Sequence, residues 1–522
     1  MCSLLHIIIV ATITKATTTS EWRGKLFIYK PISKNKENIK MKLTIIRICW
    51  VAMICSTAEA AMLETMEIKG NANILQYFQQ PGKHLQLNRK TTLDRVLEVG
   101  YPCEEHEVET EDGYFLKIYR IPDSPKSIVQ SPSPSSSRQR PLVLLEHGLM
   151  GTSDTWILNG PESSLPFLLA DRGYDVWLGN ARGNLYARKH RRLSIHQGDF
   201  WRFSWHEIGY YDLAATIDYI LQNATEVAEK SLHYVGHSQG TTILTVLMTM
   251  REEYQQYLRT VNLWSPVIFL DNTENRLLKV LSPYMGYYNI VTEKFSRQEF
   301  VPFNELFDLL KYSACQKESQ LHAFCSPLAI MIEGTYQNKN RSALQLCLET
   351  HPGGISTEQF LHFMQVIYSS EFRQYDFGLF ENFARYSQAY PPRYPLERIH
   401  KLLHIWYSRG DETVKPQDVH RFAAGMPAVV LHRISDDNWS HSDYMFVGYL
   451  ILDFHHFAVE IIPNDVGGDG DKIIASCVKC VGICRLNRLV RRKADKMLAF
   501  ECRLLFAWLV TIVTDKEAGN PL

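Results

Sequence analysis

The sequence predicts an α/β protein in which a mostly parallel central sheet carries helices on both faces and a helical cap or lid is inserted over one edge. Strand-like and helix-like segments alternate from about residue 96 to residue 267. Several of the strands, such as LVLLE at 142–146, are continuously apolar, which is typical of parallel strands covered on both faces. Residues 268–397 instead place aromatic and aliphatic side chains at helical spacing with few strands, which predicts the inserted cap.

The core elements follow one another in a regular order. The segment EHEVETEDGYFLKIYRIP predicts two strands joined by a hairpin turn at 111–113. Residues 124–140 are rich in Ser and Pro and predict a surface loop. The remaining strands are predicted at LVLLE, YDVWLGN, LHYV, VNLWSPV, KLLHIWYS and AVVLHRI, and the helices at 165–173, at 212–221 and from residue 444.

Composition permits a large core and argues against a nucleic-acid partner. Hydrophobic residues make up 45% of the 522 positions and aromatic residues 11%, a composition that argues against global disorder. Lys+Arg and Asp+Glu both number 56, and this balance provides no broad attraction for a polyanion. The sequence leaves the oligomeric state open.

The first 60 residues predict a secretory signal region. Lys42 and Arg47 lie near an apolar run, ICWVAMIC, and the small-x-small pattern Ala58-Glu59-Ala60 follows shortly after it. We expect cleavage after Ala60, with the first 40 residues an over-extended start. The alternative is a membrane anchor, although each apolar run is shorter than the roughly 20 residues that span a bilayer.

The chain after the signal divides into four regions. The sequence predicts a propeptide-like or weakly ordered lead at 61–85, a core at 86–267 and 398–462, a cap or lid at 268–397, and an atypical tail at 463–522. The alternative for 268–397 is a separate helical domain without contact to any site. For the tail we favour a non-native extension over a membrane-associated segment or a zinc site. Its apolar run MLAFECRLLFAWLVTIV contains Glu501 and Arg503 and is short for a membrane span. No histidine follows residue 456 as a fourth zinc ligand, and Cys502 lies far along the chain from the other tail cysteines. We therefore expect no metal.

The turn at Ser238 is the leading candidate for chemistry. In LHYVGHSQGTT a strand runs into Gly-His-Ser-Gln-Gly, and a helix-like stretch follows at once. A nucleophile on such a tight turn adopts strained backbone angles, and the flanking glycines leave room for them. The helix start adds free N–H groups and a positive dipole end. The alternative is a serine in an ordinary turn.

A serine hydroxyl needs a base, and the base needs an orienting acid. Asp411 follows the apolar strand LLHIWYS and is the candidate acid, whereas we expect the competing Asp418 to cap a helix. His441 lies in a polar loop after the strand AVVLHRI and is the candidate base. We interpret His432 as a residue of that strand and Asp443 as the cap of the following helix.

Two backbone N–H groups are the candidate oxyanion donors. The first belongs to Gln239, the residue after the nucleophile, and the second belongs to Leu149, in the His-Gly-Leu turn that follows an early strand. The alternative for His-Gly-Leu is an ordinary turn.

Cysteines and glycosylation sequons fit a secretory route. Cys315 and Cys325 are the candidate disulfide pair, because a short loop can close between them. Candidate N-glycosylation sites are Asn223, Asn340 and Asn438.

Together these motifs resemble the acid lipases, the gastric and lysosomal lipase family with its insect members. The resemblance runs from about 86 to 462 and rests on these segments: HGL (147–149), GYDVWLGNARGN (173–184), YDLAATIDYI (211–220), LHYVGHSQGTT (232–242), HPGGIS (351–356), SQAYPPRY (387–394) and HSDY (441–444). It implies an α/β-hydrolase core, a cap with a mobile lid, and hydrolysis of triacylglycerols or cholesteryl esters without a cofactor. By motif, the family's nucleophile falls on Ser238, its acid on Asp411, its base on His441, and its oxyanion donors on Leu149 and Gln239.

The sequence departs from the family's pattern in places. Glu333-Gly334 stands where many relatives carry a third cap cysteine, and a glycan on Asn438 would crowd His441. We expect a secreted or lysosomal lipase acting on neutral lipid at a lipid–water interface. The alternatives are a short-chain carboxylesterase and a non-catalytic lipid carrier on a hydrolase scaffold. An intact triad argues against the carrier.

Overall fold

A computed structural model describes residues 90–126, 140–223, 230–300 and 350–446. The signal region, residues 61–85, the tail, Cys315, Cys325 and Asn340 lie outside the described residues, as does most of the Ser/Pro-rich segment. The domain boundaries therefore stay a prediction. In the part of the chain that the structure describes, no helix is long and apolar enough to cross a membrane.

The main sheet is mixed, with five consecutive parallel pairings. Its order is β1-β2-β4-β3-β6-β7-β10-β11, and β5 pairs with β2. The strands are β1 Glu104–Glu109, β2 Tyr114–Ile121, β3 Leu142–Glu146, β4 Asp175–Leu178, β5 Lys189–His190, β6 Leu232–His237, β7 Leu258–Trp264, β10 Leu403–Tyr407 and β11 Val429–Arg433; β8 Glu299–Phe300 and β9 Ile355–Ser356 form a separate pair. From β4 to β11 every neighbour is parallel, while β1 and β2 are antiparallel to their neighbours.

Some helices connect neighbouring strands of the main sheet, and others lie in the long segment between β7 and β10. They are α1 Thr92–Glu98, α2 Leu165–Asp171, α3 Trp205–Glu207, α4 Leu213–Asn223, α5 Gln239–Met250, α6 Arg276–Met285, α7 Ile290–Ser296, α8 Thr357–Ser369, α9 Leu379–Tyr386, α10 Pro416–Ala424 and α11 Asp443–Phe446. Short 3₁₀ turns occur at Ser153–Trp156, Gly198–Trp201, Glu252–Tyr257 and Leu396–Arg398, and a π turn occurs at Ile208–Asp212.

The central strands bury both faces. In β3, Leu142 and Leu144 belong to one buried cluster and Val143 and Leu145 to another. Because successive side chains of a strand point to opposite faces, the two clusters lie on opposite sides of the sheet. This confirms the predicted α/β class and explains why these strands read as unbroken apolar runs.

One local prediction was wrong. Asp418 does not cap its helix, because α10 begins earlier, at Pro416, with Lys415 as the N-cap. Pro at the first helical position provides the fixed φ and lacks only an N–H that would be unpaired there. The buried carboxylate of Asp418 instead accepts hydrogen bonds from the backbone and the side chain of Asn272.

Candidate active site

Ser238 lies between β6 and α5 with a strained backbone. Its φ is 54° and its ψ is −118°, values that are costly for a residue with a Cβ. The N–H of Ser238 donates to the carbonyl of Trp264, 3.0 Å away, which ties the turn to β7. The strain is therefore held in place by the sheet, and the serine stands at the carboxyl edge of the parallel strands.

The two glycines beside Ser238 are required by close packing. A Cβ on Gly240 would lie 2.5 Å from the carbonyl oxygen of Glu146, and a Cβ on Gly236 would lie 2.8 Å from the backbone of Gly240. Real side chains do not tolerate such distances without a backbone shift. The start of α5 therefore packs directly on the end of β3, and any larger residue would displace the turn.

Ser238, His441 and Asp411 form a continuous hydrogen-bonded chain. Nε2 of His441 lies 2.8 Å from Oγ of Ser238, and Nδ1 lies 3.0 Å from Oδ2 of Asp411. Because a carboxylate only accepts, Nδ1 carries the proton, and Nε2 is left to accept from the serine hydroxyl. The structure thus brings together three residues that are separated by up to 203 positions.

Asp411 is almost completely buried and remains an acceptor. Burial by itself would raise the pKa of its carboxyl, but the His441 imidazole, the Ser265 hydroxyl and the Val414 amide outweigh burial and hold that pKa below its ordinary value. Oδ1 accepts from the N–H groups of Thr413 and Val414 at 2.8 and 2.9 Å. The carboxylate is therefore charged and fixed in orientation.

Ser265 is an additional member of this cluster that the sequence did not predict. Its hydroxyl donates to Oδ2 of Asp411 and lies 2.8 Å from Nδ1 of His441. Ser265 has a φ of 49° and follows β7, the strand beside β6. A signal was present, since the Ser-Pro that ends VNLWSP marks the carboxyl end of a core strand.

His237 holds the loop that carries His441. Nε2 of His237 donates to the carbonyl oxygen of His441 at 3.0 Å, and the two rings lie 5.1 Å apart. Burial lowers the pKa of His237 to about 3. The ring is consequently neutral and serves as a donor at mildly acidic and neutral pH.

The His147-Gly148-Leu149 turn lies against Ser238. A Cβ on Gly148 would be 3.0 Å from Cβ of Ser238. The carbonyl of Gly148 accepts from Gly151 N–H at 3.0 Å and from Nδ1 of His147 at 2.8 Å. Since C=O and N–H of a trans peptide point in opposite directions, the Leu149 N–H points away from both donors.

The motif WLGNARGN contributes buried polar side chains that support this turn. Burial lowers the pKa of His147 to about 4, so Nε2 stays unprotonated and accepts from the Ala181 N–H and from Nδ2 of Asn184, each at 3.2 Å. The guanidinium of Arg182 pairs with Asp212 and Asp112. A polar sequence follows the apolar strand β4 because its side chains make these buried hydrogen bonds and ion pairs.

Both described sequons, Asn223 and Asn438, have exposed side chains. Asn223 ends α4, and its Nδ2 donates to the carbonyl of Tyr219 at 2.8 Å. Asn438 lies on the loop leading to His441, against Gly410. Both asparagines are at the surface, and their modification stays a prediction.

Comparisons with known proteins give the family context. Residues 93–160 match the model of a partial alpha/beta-hydrolase lipase region, and residues 141–285 match the alpha/beta hydrolase fold. Lipase 3 of Drosophila melanogaster is 35% identical over 355 residues, covering 68% of this chain and 88% of that protein. Gastric triacylglycerol lipase of Homo sapiens is 34% identical over 368 residues, covering 70% of this chain and 89% of that protein.

A solved structure is also similar. A soluble variant of monoglyceride lipase from Saccharomyces cerevisiae, in complex with a substrate analog, is 14% identical, covers 68% of this chain and 94% of that chain, and has a TM-score of 0.40. A similarity at that level adds nothing to the topology described above. The curated relatives and the two matching family models together confirm the resemblance that the motifs predict.

Proposed function

This chain belongs to the lipase family that includes gastric triacylglycerol lipase and Lipase 3, and it is a carboxylic ester hydrolase of the α/β-hydrolase fold. From that premise we propose that it is a secreted or lysosomal lipase. It hydrolyses triacylglycerols or cholesteryl esters through an acyl-enzyme on Ser238. The observation that carries this proposal is the hydrogen-bonded chain from Ser238 through His441 to Asp411.

The chemistry proceeds in two displacements. His441 takes the proton of the Ser238 hydroxyl as Oγ attacks the ester carbonyl, and then gives that proton to the leaving alcohol. Water repeats the sequence on the acyl-enzyme, releasing the fatty acid and restoring Ser238. Asp411 keeps the Nδ1 proton on His441 and stabilises the imidazolium that forms.

The N–H groups of Leu149 and Gln239 hold the negative oxygen of the tetrahedral intermediate. Gln239 is the first residue of α5, where backbone N–H groups have no partner within the helix. No backbone carbonyl among the described residues accepts from the N–H of Gln239 or of Leu149. Within the described part of the chain both donors are thus available to bind developing charge, a contribution worth about 10²–10³ in rate per donor in other hydrolases.

Two observations support the substrate class, and two others support the location. The relatives are named as lipases, and the predicted cap is rich in aromatic residues that can surround acyl chains and exclude water. The expected signal region and the exposed sequons support a secretory route. No cofactor enters the proposed reaction.

The test compares wild type with Ser238→Ala on emulsified long-chain triacylglycerol, on a cholesteryl ester and on a soluble short-chain ester, between pH 4 and pH 8. We expect turnover of the emulsion by the wild type and a loss of about 10⁶ in the variant. Activity on the soluble ester alone would favour the short-chain carboxylesterase. A folded wild type that binds lipid without hydrolysing any ester would favour the carrier.

A further inference from the structure

The segment His351–Gln359, in the predicted cap, contacts the Gln239 side chain and the residues that follow Leu149. It contains the HPGGIS motif and the first residues of α8, and we call it the clamp segment. Its residues are buried, and His351, Ser356 and Gln359 are each 9% exposed or less. Nothing in the proposed acyl transfer uses these side chains, so their burial beside the site needs another explanation.

One end of the clamp segment contacts the residues after Leu149. The N–H of Gly353 donates to the carbonyl of Met150 at 2.7 Å. Met150 has a φ of 63°, which is unfavourable for a residue with a side chain. The hydrogen bond fixes the Met150–Gly151 peptide, which lies two peptides beyond the one that carries the Leu149 N–H, and so restricts the loop that positions that N–H.

Tight packing at Gly353 reinforces this contact. A Cβ on Gly353 would lie 2.5 Å from Cγ2 of Thr152 and 3.0 Å from the carbonyl oxygen of Gly151. Nearby, Nε2 of His351 lies 2.8 Å from the hydroxyl of Thr155, which itself accepts from the N–H of Thr152. The loop after Leu149 is thus held by the clamp segment on several sides.

The other end of the clamp segment contacts Gln239. Nε2 of Gln359 donates to Oε1 of Gln239 at 3.2 Å. The orientation of the Gln359 amide is set by a capping box, in which Oε1 accepts from the N–H of Ser356 at 2.9 Å. With Oε1 engaged there, Nε2 is directed to Gln239, the residue whose backbone N–H is the second proposed donor.

We propose that Gln359 and Gly353 are positioning residues that hold the Gln239 and Leu149 N–H groups in the geometry that binds the oxyanion. The inference rests on the proposed function of those two N–H groups. It makes the rate of acyl transfer depend on the docking of residues 351–359 against the core, although neither Gln359 nor Gly353 touches the reacting atoms.

The chain offers a matched control for Gln359. Gln365 lies on the same helix and is also buried, and its side chain likewise bonds to a backbone amide, that of Asp376. Its partner is elsewhere in the predicted cap rather than at the turn of Ser238. Replacing either glutamine removes a buried amide from α8, but only Gln359→Ala removes a contact with Gln239.

The experiment measures kcat and KM on a soluble ester, and the inhibition constant of a reversible trifluoromethyl ketone. Ser238 adds to this ketone to form a hemiketal whose oxyanion lies between the two N–H groups. For Gln359→Ala we expect kcat to fall about tenfold, KM to stay within about twofold, and the inhibitor to weaken about tenfold. Gln365→Ala should keep both kcat and the inhibition constant near the wild-type values at a similar melting temperature.

Two further measurements keep the test independent of folding losses. The first is a double-mutant cycle between Gln239→Ala and Gln359→Ala, and the second is the kinetics of the single variant Gly353→Ala. Coupled effects on kcat and a weakened inhibitor in folded Gly353→Ala support the inference. If Gln359→Ala matches Gln365→Ala in every kinetic constant, the inference is wrong. If the wild type neither turns over esters nor binds the ketone, it is the proposed function that fails.

Discussion

The hydroxyl of Ser265 lies 2.8 Å from Nδ1 of His441 and donates to the same carboxylate oxygen of Asp411 that this nitrogen contacts. The serine therefore bridges the base and the acid of the proposed triad. It stabilises the charged carboxylate and offers the His441 N–H a second acceptor, which helps to fix the ring tautomer.

Replacing Ser265 with alanine should slow acyl transfer without abolishing it. A hydrogen bond to a charged group contributes about 1.5 kcal/mol or more, so kcat on a soluble ester should fall at least about tenfold while KM changes little. The control is Ser124→Ala, which removes the hydrogen bond from the buried Ser124 to the partly exposed Asp171 at the opposite edge of the sheet. An equal loss of kcat in both variants would contradict the role of Ser265.

Two carboxylates competed for the role of acid, and substitution separates them. Asp411→Asn should lower kcat about 10⁴-fold, because an amide at this position favours the wrong tautomer of His441. Asp418→Asn should leave kcat nearly unchanged, since the Asp418 carboxylate bonds to Asn272. Steady-state kinetics on a soluble ester decide the matter, and the reverse pattern would overturn the assignment.

Gly240→Ala should damage both stability and activity. The added methyl group would lie 2.5 Å from the carbonyl oxygen of Glu146, so α5 must shift away from β3 and carry Gln239 with it. Overpacking of this kind costs about 1–3 kcal/mol. Gly425→Ala is the matched control, because its nearest neighbour would be at 3.5 Å. Thermal unfolding and kcat measure the difference, and an unaffected Gly240→Ala variant would contradict the packing argument.

The stability of the fold should depend on the protonation of Glu146. Burial, with a smaller effect of Asp212, raises the pKa of this carboxyl to about 8 in the folded protein, above its ordinary value of 4.5. Between these two values the unfolded chain has released the proton and the folded chain keeps it. The contribution of Glu146 to the free energy of unfolding therefore falls as pH rises through this window, by at most about 1.4 kcal/mol per pH unit.

Glu146→Gln removes that titration while preserving shape. We expect the free energy of unfolding to fall less steeply between pH 4.5 and pH 8 in this variant than in the wild type. Denaturant unfolding at several pH values measures the slope, with the exposed Glu107→Gln as the control. Parallel slopes in the wild type and Glu146→Gln would contradict the buried, protonated state of Glu146.

The sequence predicted those features that depend on local order. The strand–Ser238–helix turn could be read directly, because periodicity changes from strand to helix within a few residues and glycines flank the serine. Asp411 and His441 could be chosen because each follows an apolar core strand, and parallel strands end at one edge of the sheet.

Contacts between distant segments could not be predicted. The bonds of Ser265 to Asp411 and of Gln359 to Gln239 join residues 146 and 120 positions apart, and no local pattern specifies such pairs. The sequence predicts too late a start for α10, because Asp418 satisfies the preference for an acidic cap, whereas Pro416 begins the helix. The π turn at Ile208–Asp212 also has no periodicity that distinguishes it from the α-helix that follows.

The most direct test of the central claim is mass spectrometry of the folded protein after reaction with diethyl p-nitrophenyl phosphate. We expect one diethylphosphoryl adduct per chain on the peptide that contains Ser238, forming as esterase activity is lost, and markedly slower labelling in His441→Ala. Loss of activity with the adduct on another residue, or full activity after Ser238 is labelled, would contradict the account.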